Sequence, residues 1–161
     1  MIIKNIKDIE TIKLRITKPI VAASGYFDIL HKGHIEYLNK ASELKGITSN
    51  LFVIVNNNKQ AMLKKEKFFM DENERMIIVD NLRCVPFVLL SVDEDLTVCK
   101  TLELLHPDFF VKGGDRFSGE IPESTICKKL GIVIIDGLGE KIQSSSSLIK
   151  NYEEFKLGGK K

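Results

Sequence analysis

The sequence predicts an α/β fold: a doubly wound, parallel, five-stranded sheet with helices on both faces. Short apolar runs alternate along the chain with longer amphipathic stretches, which is the order expected when crossover helices join parallel strands. The run at residues 51–55 is apolar at every position, as a strand that is covered on both faces requires. A chain of 161 residues can bury such a sheet, so we expect a single domain over residues 1–161.

The elements follow from local patterns. Residues 1–18 place isoleucines among lysines and predict a lead-in helix that Pro19 ends. Apolar runs bounded by turn residues predict strands at 20–24, 51–55, 85–90, 109–111 and 132–135. Amphipathic stretches predict helices at 33–44, 71–82, 96–105, 121–130 and after Ser144. Asp71, with Glu74 three residues later, forms a capping-box start, whereas 59–69 is expected to be irregular and 157–161 frayed.

Composition and charge limit the classes of partner. The chain has 24 basic and 22 acidic residues, which gives a net charge of +2 and no bulk attraction to nucleic acid or membranes. No run approaches the roughly 20 apolar residues of a membrane span. Cys84, Cys99 and Cys127 are odd in number and widely spaced, which favours a reducing compartment. We therefore expect a cytoplasmic protein without nucleic-acid or membrane partners.

The segment that joins the first predicted strand to the next helix is the most indicative of function. His31 and His34 lie three residues apart at the start of that helix, with Gly33 between them. A helix start offers free N–H groups and the positive end of the dipole, and imidazoles add donors, so the segment predicts a polyphosphate site. Gly33 lets a phosphate approach without meeting a Cβ. The alternatives are an exposed capping turn or two of three zinc ligands.

The chain resembles the cytidylyltransferase-like nucleotidyltransferases in their HxGH signature, which here reads Gly25-Tyr26-Phe27-Asp28-Ile29-Leu30-His31-Lys32-Gly33-His34. Arg75, the segment 107–115 and the serines at 144–147 make it similar, over residues 5–152, to the adenylyltransferase domain of bacterial ADP-heptose synthases. The resemblance implies a Rossmann-like fold. It also implies transfer of AMP from ATP to a sugar phosphate such as heptose 1-phosphate, with release of pyrophosphate.

The resemblance assigns roles to individual residues. His31, His34 and Lys65 are expected to be catalytic, with Lys64 as the alternative to Lys65. The nucleotide-binding residues that it implies are Gly25, Tyr26, Phe27, Asp28, Gly33, Arg75, Lys112, Gly113, Gly114, Asp115, Ser144, Ser145 and Ser146. The residues alone also allow structural roles: a solvated lysine run, a surface ion pair of Arg75 with Glu72 or Glu74, a plain turn at 112–115, and a serine N-cap.

An acceptor phosphate is already ionised at pH 7, so the reaction needs positioning and charge neutralisation more than a general base. We expect Mg²⁺ to arrive on the nucleotide phosphates, and we assign no protein ligand to it. The expected partners are ATP or CTP and a small phosphorylated acceptor, and the resemblance implies a homodimer.

Two departures from the family pattern bear on specificity. The segment Lys64-Lys65-Glu66-Lys67 differs from the Lys-Gly and Arg-Pro pattern of the heptose branch, and this departure concerns the choice of acceptor. In addition, the arginine that related cytidylyltransferases carry before the serines is missing here, and its absence favours the adenylyl branch. The alternatives are a CTP-dependent enzyme acting on a glycerol phosphate, alcohol phosphate or phosphonate, a flavin or pantetheine adenylyltransferase, and a catalytically silent nucleotide-binding protein.

Overall fold

The computed structural model describes residues 1–3, 5, 7–16, 19–44, 50–113, 121–138 and 144–158. These residues form one six-stranded sheet in which every strand pairing is parallel. Its strands are β1 (Ile2–Ile3), β2 (Val21–Gly25), β3 (Leu51–Val55), β4 (Phe87–Leu90), β5 (Phe109–Gly113) and β6 (Val133–Leu138). They lie in the order β1-β4-β3-β2-β5-β6.

The described helices connect these strands. They are α1 (Asp8–Lys13), α2 (Lys32–Ser42), α3 (Asn58–Lys65), α4 (Glu72–Asp80), α5 (Cys99–Leu105), α6 (Ser124–Leu130) and α7 (Ser145–Gly158). The predicted capping box at the start of α4 is confirmed, because the Asp71 side chain accepts the N–H of Glu74 and the Glu74 side chain accepts that of Asp71. Most predicted elements are present and somewhat shorter than expected.

The two faces of the sheet carry separate apolar layers. Phe52 and Ile54 of β3 pack with α1, α5 and α6, whereas Leu51, Val53 and Val55 pack with α2 and α4. Successive side chains of a strand point to opposite faces, so an all-apolar strand needs both layers. The expected arrangement, with helices on both faces of a parallel sheet, is confirmed.

The chain reverses direction in the sheet beside β2. From β2 the chain first builds β3 and β4 on one side, and it then returns through α5 to form β5 on the other side. Helices α2 and α4 therefore cover one face, and α5 and α6 cover the other. In open α/β sheets ligands bind at the carboxyl ends of the strands where this reversal occurs. In this protein that position lies at the carboxyl ends of β2 and β5, which are neighbours in the sheet.

The prediction of five strands and of a helix over 1–18 was wrong. Residues 2 and 3 form an additional edge strand, with Ile2 opposite Val88 and Ile3 opposite Leu89, and the helix is confined to Asp8–Lys13. The Met1 amino group also donates a hydrogen bond to the carbonyl oxygen of Pro86. A two-residue strand is too short to have a period of its own, so tertiary pairing decides it.

Residues 58–65 also differ from the prediction, because they form helix α3 and not an irregular stretch. Asn57 accepts the N–H of Gln60, and the Gln60 side chain accepts that of Asn57, which completes a capping box. Gln60 is fully buried and donates to the carbonyl oxygens of Asp95 and Thr97. A polar residue on the inner face of a helix hides the apolar period on which the prediction relied. At the other end of the chain, α7 includes Leu157 and Gly158, and 159–161 lie outside the described residues.

Candidate active site

The two histidines lie side by side at the end of the central strand. His31 precedes α2 in an extended conformation, and the His34 N–H donates to the carbonyl oxygen of His31 at 2.9 Å. The rings stack with their centroids 3.8 Å apart and their planes 19° apart. The spacing of three residues places both imidazoles on one side of the helix start. Gly33 lies between them in the first turn, where backbone N–H groups have no partner within the helix.

Both imidazoles are neutral at pH 7. Burial, together with the smaller effects of the nearby His31 and Lys65, lowers the pKa of His34 to about 4. Burial and Lys65 lower the pKa of His31 as well. The Nδ1 atoms of both rings are buried and have no hydrogen-bond partner among the described residues. An orphaned buried nitrogen is costly, so it is found where a ligand, ion or water completes the site.

Gly25 and Phe27 support the ring of His34. The Phe27 ring is buried and meets His34 edge to face, with the centroids 5.1 Å apart. A Cβ on Gly25 would lie 2.7 Å from the Phe27 ring, so only glycine fits there. The backbone of Phe27 has a φ of 52°, which turns its side chain back over the end of β2. These two predicted nucleotide-binding residues therefore position the histidine.

Lys65, and not Lys64, is the lysine that faces the histidines. Its Nζ donates to the carbonyl oxygen of Asp28 at 3.0 Å, and its charge depresses the pKa of both imidazoles. The Lys64 ammonium lies over the ring of Tyr26, 4.4 Å from the centroid. Of the two lysines, Lys65 is therefore the one beside the histidines, and its catalytic role stays a prediction.

Asp28 holds the segment that follows helix α3. Its buried carboxylate accepts the backbone N–H groups of Phe69 and Met70 at 3.0–3.1 Å. A carboxylate that accepts several backbone N–H groups forms strong, charge-assisted hydrogen bonds. The side chain expected to contact a nucleotide is therefore already bound to protein, and it fixes residues 69–70 beside the histidine loop.

Arg75 lies in the interior and not at the surface, where the ion-pair alternative had placed it. The guanidinium is fully buried and donates to the carbonyl oxygens of Met70, Tyr26 and Asn56 and to the side chain of Asn58. All four contacts go to protein, so Arg75 does not form the surface ion pair that the residues alone allowed, and its role in nucleotide binding stays a prediction. It joins the ends of β2 and β3 to the start of α4.

Lys112 is also bound to protein. The side chain is 9% exposed, and its Nζ lies 3.6 Å from the carboxylate of Glu123 and 3.3 Å from the Ser24 hydroxyl. Glu123, itself buried, accepts the N–H of Val98 just before α5. The buried ion pair joins β5 to the α5–α6 layer, and the nucleotide contact of Lys112 stays a prediction.

The ring of Tyr37, on helix α2, packs so closely against Gly113 that it leaves no room for a side chain there. A Cβ there would lie 2.8 Å from the Tyr37 ring, and the Tyr37 hydroxyl donates to the carbonyl oxygen of Val111 at 2.7 Å. Gly113 therefore allows the helix that carries His34 to pack on β5. Gly114 and Asp115 lie outside the described residues, and their assignment stays a prediction.

The serine segment caps the last helix. The Ser144 hydroxyl oxygen accepts the N–H of Ser147 at 3.1 Å, so the capping role that the sequence allowed for Ser144 is confirmed. Ser145 and Ser146 form the first turn of α7, and their side chains are outside the part that the structure describes.

Helix α7 borders the site from the side. A cavity of about 350 Å³, here called the side cavity, is lined by Asp28, Lys65, Lys67, Phe69, Ile149, Lys150 and Glu153. The sequence did not identify Lys67, Phe69, Ile149, Lys150 and Glu153 as site residues. It showed only that the first two belong to a basic segment and the other three to the last helix. No local pattern shows that residues 67–69 and 149–153 face the same space.

The described ranges hold neither a metal-binding cluster nor a membrane-spanning helix. They contain no group of three or more His, Cys, Asp or Glu side chains that could hold a metal ion. No helix within those ranges has the length and apolarity needed to cross a membrane.

A pair of neutral histidines at a helix start, beside the reversal point of a parallel sheet, fits an α/β protein of the nucleotidyltransferase class. Residues 22–151 match the cytidylyltransferase-like family, and the chain belongs to it.

Similar proteins agree with this assignment. The chain is 39% identical over 114 residues to the Bifunctional protein HldE of Helicobacter pylori strain Shi470, a match that covers 68% of this chain and 23% of that protein. It is 33% identical over 139 residues to the FAD synthase of Picrophilus torridus, covering 84% of this chain and 96% of that protein. A lipopolysaccharide core biosynthesis protein from Thermoplasma volcanium superposes with a TM-score of 0.63 at 28% identity, covering 75% of this chain and 97% of that one. The chain thus spans about a quarter of the HldE protein.

Proposed function

We propose that this protein transfers AMP from ATP to the phosphate of a small sugar phosphate, such as heptose 1-phosphate, and releases pyrophosphate. The observation that carries the proposal is the stacked pair of neutral imidazoles at the start of α2, with buried nitrogens that lack a partner. The similarity to a lipopolysaccharide core biosynthesis protein supports a sugar phosphate as the acceptor.

The reaction needs no general base, because the acceptor phosphate is already an anion. One of its oxygens attacks the α-phosphorus of the nucleotide, and the bond from that phosphorus to the oxygen that leads to the β-phosphate breaks. Neutral His31 and His34 stabilise the developing charge by donating hydrogen bonds, and Lys65 supplies a positive charge beside them. The backbone N–H groups of Lys32 and Gly33, in the first turn of α2, would add two donors for the phosphates.

Further residues are proposed to bind the other parts of the nucleotide. Gly114 and Asp115 are proposed to approach the base or ribose, and the serines at the start of α7 are proposed to form a second phosphate cradle. Mg²⁺, carried by the triphosphate, would neutralise phosphate charge. The residues present fit an ion held by the nucleotide, because the Asp28 carboxylate is already bound to backbone amides.

A pyrophosphate-release assay with ATP, CTP, GTP and UTP tests the proposal, using heptose 1-phosphate, glycerol 3-phosphate and FMN as acceptors. We expect release to require both a nucleotide and an acceptor, and to be fastest with ATP and the sugar phosphate. Nucleotide binding without product from any acceptor would instead support a silent binding protein. Release with CTP and glycerol 3-phosphate alone would identify the cytidylyltransferase alternative.

A second candidate is adenylyl transfer to FMN. It is favoured by one specific observation, which is that the match to the Picrophilus FAD synthase covers 96% of that protein. The same assay separates the two candidates, since FMN would then be the acceptor that releases pyrophosphate.

A further inference from the structure

The side cavity adjoins the histidine pair through Lys65. That lysine lines the cavity, and its charge also lowers the pKa of both His31 and His34. A molecule in the side cavity would therefore lie next to whatever occupies the histidine site. The volume of about 350 Å³ is in the range of sites for small ligands.

The charged groups of the side cavity are available to a ligand. Neither Lys67 nor Glu153 has a hydrogen-bond or ion-pair partner among the described residues. Lys150 has Glu154 at 3.9 Å, with both side chains largely exposed, which is a weak pair that a ligand could replace. Asp28 is bound to the amides of 69 and 70, so Glu153 is the carboxylate that can accept new hydrogen bonds.

Two apolar side chains complete the wall. Phe69 is 56% exposed in a segment that Asp28 holds in place, and Ile149 lies on α7 one residue before Lys150. An exposed aromatic ring beside charged groups is typical of a site that binds a polar molecule having an apolar face.

We propose that the side cavity binds the non-reacting part of a phosphorylated polyol, while the reacting phosphate lies at Lys65 and the histidines. In this arrangement Glu153 accepts hydrogen bonds from hydroxyl groups, and Lys67 and Lys150 donate to hydroxyl oxygens. Hydroxyls both donate and accept, so they can pair with the carboxylate and with the ammonium groups. A broad, largely apolar ring system would desolvate these charges without pairing them. The inference rests on the proposed function and adds three residues that determine which acceptor is used.

Isothermal titration calorimetry with heptose 1-phosphate, glycerol 3-phosphate, FMN and ATP tests this assignment. We expect Glu153→Gln and Lys150→Met to weaken binding of the two polyol phosphates at least tenfold and to change ATP binding less than twofold. In the transfer assay the same variants should raise KM for the acceptor and leave KM for ATP unchanged.

Two variants serve as matched controls. Glu154→Gln makes the same change at the next residue of α7, which does not line the side cavity, and it also removes the partner of Lys150. Lys129→Met makes the lysine change at an exposed position of α6. Both should bind the polyol phosphates within twofold of the wild type.

Failure of this assignment is distinguishable from failure of the proposed function. If the wild type binds neither ATP nor CTP, the proposed function is wrong. If it binds nucleotide, but Glu153→Gln binds polyol phosphates as tightly as the wild type, only the assignment of the side cavity is overturned. FMN also carries a phosphorylated polyol, its ribityl chain, so binding of FMN but of neither heptose 1-phosphate nor glycerol 3-phosphate would show that the ring system is what the cavity selects, and it would overturn the assignment in the same way.

Discussion

Nη1 of Arg75 donates to the carbonyl oxygen of Tyr26 at 2.9 Å, across 49 residues of sequence. The same atom donates to the carbonyl oxygen of Asn56, so one buried cation binds the ends of both β2 and β3. Because Tyr26 begins the loop that leads to His31 and His34, Arg75 is a positioning residue for the candidate active site.

Replacing Arg75 with lysine should destabilise the protein. A lysine has one nitrogen and cannot reach four acceptors that a planar guanidinium spans, so carbonyl oxygens would be left buried without donors. We expect Arg75→Lys to lower the free energy of unfolding by roughly 2–4 kcal/mol, measured by urea denaturation. Arg83→Lys, at an exposed position, is the control and should change it by less than about 0.5 kcal/mol.

Replacing His34 should remove activity and keep the fold. We expect His34→Asn to lower turnover roughly 10²–10³-fold, since a donor aimed at developing charge is lost. Its circular dichroism spectrum should match that of the wild type. His106→Asn is the control, because His106 is exposed and belongs to the end of α5. Near-normal turnover of His34→Asn would contradict the role given to the imidazole pair.

The charge of Lys65 should have a measurable effect on the pKa of His34. Removing a nearby positive charge makes protonation easier, so Lys65→Met should raise the pKa of His34 above its value of about 4. Burial is the largest cause of the shift, so the pKa should stay below 6.5. Titration of the imidazole signals by NMR checks both statements. An unchanged pKa would show that the lysine lies further from the rings than the structure places it.

Stability should fall in acid because of the same histidine. The unfolded chain binds a proton at His34 near pH 6.5, whereas the folded protein binds it only near pH 4, so protonation favours unfolding between these values. We expect a loss of up to about 3 kcal/mol at pH 4 from this group. Urea denaturation at several pH values should show a smaller loss for His34→Asn and an unchanged loss for His106→Asn.

Contact between Gly113 and Tyr37 gives a fifth prediction. Gly113→Ala places a methyl group 2.8 Å from the Tyr37 ring and should cost roughly 1–3 kcal/mol of stability. In a Tyr37→Ala background the added methyl group meets open space, so the penalty should largely disappear. A double-mutant cycle measured by urea denaturation gives this coupling. Additive effects of the two changes would contradict the contact.

The sequence by itself determined the features that depend on neighbouring residues. The fully apolar strand at 51–55 predicted a sheet covered on both faces, and the capping box at Asp71 predicted the start of α4. The spacing of His31 and His34 placed both rings at one helix start. Each of these features is set within a few residues by strand alternation, helix period or N–H capping, which a sequence displays directly.

Only the tertiary structure decided what the charged residues touch. Asp28 accepts N–H groups from residues 41 and 42 positions further along the chain, and Lys112 lies beside Ser24, which is 88 residues away, yet the sequence interpreted both residues as nucleotide contacts. The choice of Lys65 over Lys64, the edge strand at 2–3 and the side cavity between 65–69 and α7 likewise depend on pairing across the fold. A charged side chain has the same local pattern whether it meets a ligand or a distant carbonyl oxygen, so only its position in the folded chain separates the two.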